Sequence, residues 1–238
     1  MFIKPALSVL ITLITLVYLA SELANSFPFL KVPKPTLQKE PKSHVGIDIS
    51  HYQSDINWDT LLKNNIAFIF IKATQGESYT DPQFSAHAIA ASAKSIPFGY
   101  YHFFTPNKDP LKQAQHFLKT IESQQASLRP VVDIEVLNNE TSEKLVSGLK
   151  QWIRVVERAL GCEVIIYTGD NFWHTYLATD FAGKTLWLAE YRDFAPDDKW
   201  LIWQRSQSGR LVGLQGRVDL DELRHQTLGL EVLSCKRT

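Results

Sequence analysis

From Val45 onward the chain alternates short, nearly continuous apolar runs with longer stretches of helical periodicity. The runs are Val45–Ser50, Ala67–Ala73, Pro97–Phe103, Val131–Glu135, Glu163–Thr168, Thr185–Tyr191, Trp200–Gln204 and Arg217–Leu220. They are rich in Val, Ile, Phe and Tyr, which suit a pleated surface, and they are too short for buried helices. Between them, Trp58–Asn65, Asp81–Lys94, Pro110–Gln125 and Ser142–Leu160 carry helical spacing, and Asn171–Leu177 a shorter version of it. Asp81-Pro82 offers a cap and a first-turn proline, and Gly161 a helix stop. Apolar strands alternating with helices predict an α/β fold with a parallel sheet covered by helices. Eight strands in one domain predict an irregular (β/α) barrel with about five helices, the last strands lacking them.

The N-terminal pattern is different. Pro5–Ser21 is uncharged and apolar, with Lys4 before it and Glu22 after it. That length lies between a signal-peptide core and a membrane span. Small-x-small cleavage sites are poor, because Tyr18 stands two before Ala20 and Glu22 two before Ala24. Residues 1–24 therefore read as an N-terminal hydrophobic helix, a signal-anchor in the inner membrane or a signal peptide. Lys4 would leave the rest of the chain outside the cytoplasm, periplasmic or on the cell-wall side, or secreted if cleavage occurs. Residues 25–44, with Pro33, Pro35 and Pro41 among lysines, read as an extended linker. The barrel is expected over 45–225 and a C-terminal tail over 226–238.

Nearly every apolar run ends on a polar or ionisable group. These are Asp48, Lys72, His102, Asp133 with Glu135, Tyr167, Glu190 with Tyr191, Gln204 and Asp219. In a parallel barrel the C-terminal ends of the strands share one face, where active sites are built. The expectation is one acidic, aromatic-lined cleft. Asp133 and Glu135 stand one residue apart, so on a strand both side chains project to one face, their Cα atoms roughly 6–7 Å apart. Like charges that close raise the proton affinity of at least one carboxyl. A protonated carboxyl beside an ionised one is what glycoside cleavage uses. Tyr101, His102, Tyr167, Trp187, Tyr191 and Trp203 are candidates for stacking on sugar rings.

Charge and composition narrow the alternatives. The 25 Lys and Arg balance the 25 Asp and Glu, so no general attraction to nucleic acid is expected. The histidines show no metal-ligand spacing, and no glycine-rich phosphate loop is present, so neither metal nor cofactor is expected. Cys162 and Cys235 make no disulfide framework or zinc site. Cys162 precedes the fifth strand, at the barrel bottom. Cys235 lies in a tail that leaves the last strand at the top and would have to return downward. A bridge and two free thiols both remain open. The chain is expected to work as a monomer.

These residues resemble glycoside hydrolase family 25, the N-acetylmuramidase-type lysozymes, over about residues 45–223. The resemblance rests on Gly46-Ile47-Asp48-Ile49-Ser50 with Gln53 and Trp58, and on Phe70-Ile71-Lys72-Ala73-Thr74 followed by Gly76 and Asp81. It continues through Gly99-Tyr100-Tyr101-His102-Phe103, Asp133-Ile134-Glu135, Tyr167-Thr168, Leu186-Trp187-Leu188-Ala189 with Tyr191, Trp203-Gln204 and Val218-Asp219-Leu220. It implies an irregular β/α barrel that cleaves the β-1,4 bond between N-acetylmuramic acid and N-acetylglucosamine in peptidoglycan. Glu135 would be the general acid, Asp133 the nearby carboxylate, and Asp48 and Asp219 further acidic groups of the cleft. Burial and Asp133 would keep Glu135 protonated. Asp133 would stabilise an oxocarbenium-like centre or orient the substrate's own 2-acetamido group. One departure stands out. Gln75 occupies the position where the family usually has glutamate. A non-catalytic glycan-binding barrel and a chitin-type glycosidase are the competing readings.

Overall fold

The computed structural model describes residues 45–196, 199–224 and 229–235. The N-terminal apolar segment and the linker lie outside the described residues. Among those described, no helix is long and apolar enough to cross a membrane.

The barrel strands are β1 (Val45–Ile49), β2 (Phe68–Gln75), β4 (Phe98–Phe103), β5 (Val131–Asp133), β6 (Ile165–Gly169), β7 (Thr185–Ala189), β8 (Ile202–Gly209) and β9 (Val218–Leu223). A two-residue strand, β3 (Tyr79–Thr80), pairs outside the barrel with the end of β2. The sheet runs β1-β9-β8-β7-β6-β5-β4-β2, and parallel pairing of β1 with β2 closes it. The eight-stranded barrel is therefore present, with one difference from a uniformly parallel sheet. β9 is antiparallel to both neighbours, β8 and β1. Only eight residues separate β8 from β9. That suffices for a hairpin and is too short for the crossover that parallel strands require.

Helices α1 (Trp58–Leu61), α2 (Phe84–Ala93), α3 (Pro110–Ile121) and α4 (Ser142–Leu160) follow the early strands. After β6 the chain forms α5 (Asp170–Phe172), a π-helical turn (Trp173–Leu177) and α6 (Ala178–Phe181). Asp109 caps α3 by accepting from the N–H groups of Leu111 and Lys112, with Pro110 in the first turn. α4 buries Leu145, Leu149, Trp152, Ile153 and Val156, a stripe at helical spacing, and ends at Gly161, whose φ of 69° is left-handed.

Strand alternation divides the core in two. Ile47, Ile69, Ile71, Tyr100, Val132, Ile166 and Leu188 face the helices. Phe68, Phe70, Val131, Ile165, Tyr167, Trp187 and Leu223 fill the barrel. Gly46 and Gly99 make that filling possible, since a Cβ at either would overlap the ring of Phe68 or Phe70.

The C-terminal segment completes the floor. Because β9 runs downward, the chain leaves it at the bottom, not at the top as a parallel β9 would require. Leu233 is buried in the interior cluster, its carbonyl accepts from the N–H of Arg129, and the N–H of Cys235 donates to Ser127. Cys162 and Cys235 are joined in a disulfide, with Cα atoms 5.4 Å apart.

Candidate active site

The upper end of the barrel interior opens into a cavity of about 210 Å3. Asp48, Lys72, Tyr101, Asp133, Glu135, Tyr167, Trp187 and Asp219 all line it. Glu135 also borders a second hollow of about 280 Å3, with Asp170, Asn171, Glu190 and Tyr191 on its walls. A larger groove of about 520 Å3 lies on the outside between α3 and α4, lined mainly by residues such as Phe117, Ile121 and Leu160. It brings no pair of carboxyls together, so size alone would point to the wrong place.

Each group arrives by strand register. Asp133 is the last residue of β5, opposite Phe103 and Tyr167. The strand ends there, two residues short of the expected Glu135, although the Ile134 N–H still donates to the Tyr167 carbonyl. Asp133 is 6 % exposed, whereas Glu135 stands exposed at the cavity mouth. Burial thus falls on Asp133, the reverse of the expectation from sequence. It pushes the Asp133 carboxyl well above the usual range, reinforced by the charge of Glu135 and a hydrogen bond with it, and opposed by Lys72. Asp133 Oδ1 has no protein partner.

Asp48 and Asp219 face each other across the β1–β9 pair. Burial raises Asp48 strongly, with Asp221 and Asp219 adding to it. Burial also pushes Asp219 up to about 6, against a hydrogen bond from Asp48 that lowers it. Gln204 Nε2 donates to Asp48 Oδ2 at 2.8 Å. The Gln204 Oε1 accepts from the hydroxyls of Tyr167 at 2.9 Å and Tyr191 at 2.6 Å. One amide therefore ties two tyrosines to the acidic cluster. Lys72 Nζ donates to Gln75 Oε1 at 3.0 Å and lies 5.1 Å from the centre of the Phe103 ring. The neutral Gln75 amide holds Lys72 without cancelling its charge, which stays available to the carboxylates.

Two sequence candidates lie elsewhere. His102 faces the helices, fully buried, with Thr74 Oγ1 at 2.7 Å from Nδ1 and Gln113 Oε1 at 3.2 Å from Nε2. It stacks on Trp152, and burial pushes its pKa down to about 3. Trp203 also packs in the outer core and donates Nε1–H to the Glu190 carbonyl. Neither reaches the cleft, because alternation turns each away from the inward neighbours Tyr101 and Gln204.

The sequence matches the model of Glycosyl hydrolases family 25 over residues 47–214. The chain belongs to family 25. An uncharacterized protein of Escherichia coli K12, YegX, is 35 % identical over 184 residues, covering 74 % of this chain and 68 % of its own. The autolytic lysozyme of Clostridium acetobutylicum is 30 % identical, covering 74 % of this chain and 55 % of that one. A family 25 glycosyl hydrolase structure from Bacillus anthracis superposes with a TM-score of 0.71 at 28 % identity, over 78 % of this chain and 91 % of that one.

This family 25 barrel holds one acidic group that sequence reasoning passed over. Asp221 is 0 % exposed and accepts a 3.0 Å hydrogen bond from Trp187 Nε1, while its Oδ2 has no protein partner. It follows Asp219 by two residues on β9, so the i, i+2 rule that linked Asp133 to Glu135 would have found it. Burial first, then Asp219, raises its carboxyl well above the usual range. A carboxyl raised on folding binds more protons in the native state than in the unfolded one. Its stabilising contribution is complete below the unfolded pKa and is lost as pH rises through the folded one. Asp221→Asn removes this loss and keeps an acceptor for Trp187. Its melting temperature is expected to match the parent near pH 4 and to exceed it by a few degrees near pH 8. Parallel thermal melts across that range check this, and a variant less stable at pH 8 would contradict it.

Proposed function

We propose that this family 25 enzyme cleaves the β-1,4 bond between N-acetylmuramic acid and N-acetylglucosamine in peptidoglycan strands. The observation that carries the reading is the Asp133–Glu135 pair lining one acidic cavity, with the charge of Glu135 adding to the raised proton affinity of buried Asp133. Glu135 is the general acid. It is exposed and borders both hollows, so a glycan running from one to the other passes over it. The dry surroundings that favour a protonated acid then come from the substrate itself.

The placement of the two carboxyls also bears on the mechanism. Enzymes that place carboxylates on opposite sides of the bond separate them by about 5–5.5 Å when retaining and 6.5–9.5 Å when inverting. Two carboxyls carried two residues apart at the end of one strand lie on the same side of the bond, with no room for a sugar ring between them. Asp133 therefore acts on the 2-acetamido group of a sugar held in the cavity that it lines. The acetamido oxygen attacks the anomeric carbon as Glu135 gives its proton to the departing glycosidic oxygen. Water then attacks the anomeric carbon and opens the cyclic intermediate, giving up a proton to Glu135, which restores the acid. Asp48, held by Gln204, and Asp219, paired with Asp48, hold Asp133's side of the cavity in place. No step calls for a metal or a cofactor.

Action outside the cytoplasm fits the disulfide, since such bonds persist in oxidising compartments. The test is clearing of purified walls, followed by borohydride reduction and mass spectrometry of the fragments. Reduced muramic acid at the new ends is expected. Reduced glucosamine ends, or binding without clearing, would overturn the assignment.

A further inference from the structure

Four aromatic side chains are exposed among the described residues: Tyr52, Tyr79, Tyr191 and Phe194. Single exposed apolar groups are ordinary on a protein surface, but grouping of this kind marks contact sites. Tyr52 lines the catalytic cavity, and Tyr191 lines the adjoining hollow. Tyr79 stands against His51 beside Tyr52, and Phe194 follows Tyr191 on the same loop.

Tyr52 is the most informative, because it is 80 % exposed yet sits on a tightly held turn. The turn His51–Gln53 is closed by a reciprocal cap with Ser50, in which the Ser50 N–H donates to Gln53 Oε1 at 3.0 Å. Gln53 Nε2 donates to the Arg217 carbonyl. Buried Asp81 places Oδ2 at 2.8 Å from His51 Nδ1 and accepts the His51 N–H at 3.1 Å. The His51 ring in turn lies 4.2 Å from that of Tyr52, with their planes 35° apart. Contacts from Arg217, just before β9, and from Asp81, before α2, thus fix a turn whose Tyr52 ring itself buries almost nothing. Stability gives no reason for that arrangement. A rigid apolar face at the mouth of a carbohydrate cleft does.

We propose that Tyr52, backed by His51 and Tyr79, is the stacking platform of a pyranose subsite at the rim of the catalytic cavity, filled by a sugar of the glycan strand other than the one being cut. The proposal rests on the glycosidase reading above and extends the cleft along β1's side of the barrel mouth. A ring face contributes to holding the strand and takes no part in bond cleavage, so its loss falls on KM.

The experiment compares Tyr52→Ala and Tyr52→Phe with the parent on peptidoglycan fragments of increasing length. For Tyr52→Ala, KM on long fragments is expected to rise about 3- to 10-fold, with kcat within about twofold and a penalty that shrinks as fragments shorten. Tyr52→Phe keeps the ring and should stay within about twofold of the parent. An unchanged KM in Tyr52→Ala at every length would overturn the platform, as would equal damage from Tyr52→Phe. If the parent cleaves no peptidoglycan, the glycosidase reading falls separately. Calorimetric affinities of Glu135→Gln, with and without Tyr52→Ala, for the same fragments then decide the platform. A length-dependent loss supports it and equal affinities overturn it.

Discussion

Glu135→Gln is expected to lower the rate of wall clearing by about 10²- to 10⁴-fold, the range usually lost with a general acid. Glutamine fills the same space and keeps a hydrogen bond to Asp133, but it has no proton to give the leaving oxygen. Glu135 is exposed, so the exchange should move the melting temperature little, as surface changes usually stay within about 0.5 kcal/mol. The loss should fall on kcat, because affinity comes from the cavity walls. Asp133→Asn tests the partner. An amide keeps the shape and hydrogen-bonding groups of the side chain but can neither take up nor release a proton, so its rate should also fall strongly. A Glu135→Gln protein that clears walls at the parent rate would remove Glu135 from the mechanism.

Much of the arrangement behind that expectation was legible in the chain. Eight apolar runs separated by helical stretches imply the barrel, and their polar ends imply the cleft. The failures have physical causes that the same rules contain. Tyr101 and His102 are consecutive strand residues, as are Trp203 and Gln204, and alternation allows only one of each pair into the barrel. Applying the rule throughout, as it was applied to Asp133 and Glu135, sends His102 and Trp203 to the helices and brings Asp221 in.

The direction of β9 was legible too. The connection from β8 is short and contains Gly213 and Gly216 at positive φ, which is hairpin chemistry. Which carboxyl is buried was not legible. It depends on where pairing with β4 and β6 stops, one residue past Asp133, and on how far the neighbouring loops reach over the strand ends. No local sequence pattern carries that information. The structure also places the charge of Gln75's missing carboxylate in context, since Lys72 keeps a partner while its charge still opposes the proton affinity of Asp133.

Removing the Cys162–Cys235 bridge is expected to be the largest single loss of stability. The cysteines are 73 residues apart, and closing a loop of that length removes unfolded-state entropy equivalent to about 4 kcal/mol. For a domain of this size that corresponds to a fall in melting temperature of roughly 10 °C. The bridge also ties down the segment carrying Leu230 and Leu233, which pack into the barrel interior from below. With the bridge gone, the floor is held by apolar contacts and by the hydrogen bonds to Ser127 and Arg129. The cleft lies at the opposite end, so cleavage should survive at low temperature and fail early on heating. Cys162→Ala with Cys235→Ala, compared with the reduced and alkylated parent, measures the effect. A melting temperature unchanged after mass spectrometry has shown both thiols alkylated would mean that the floor holds without its bridge.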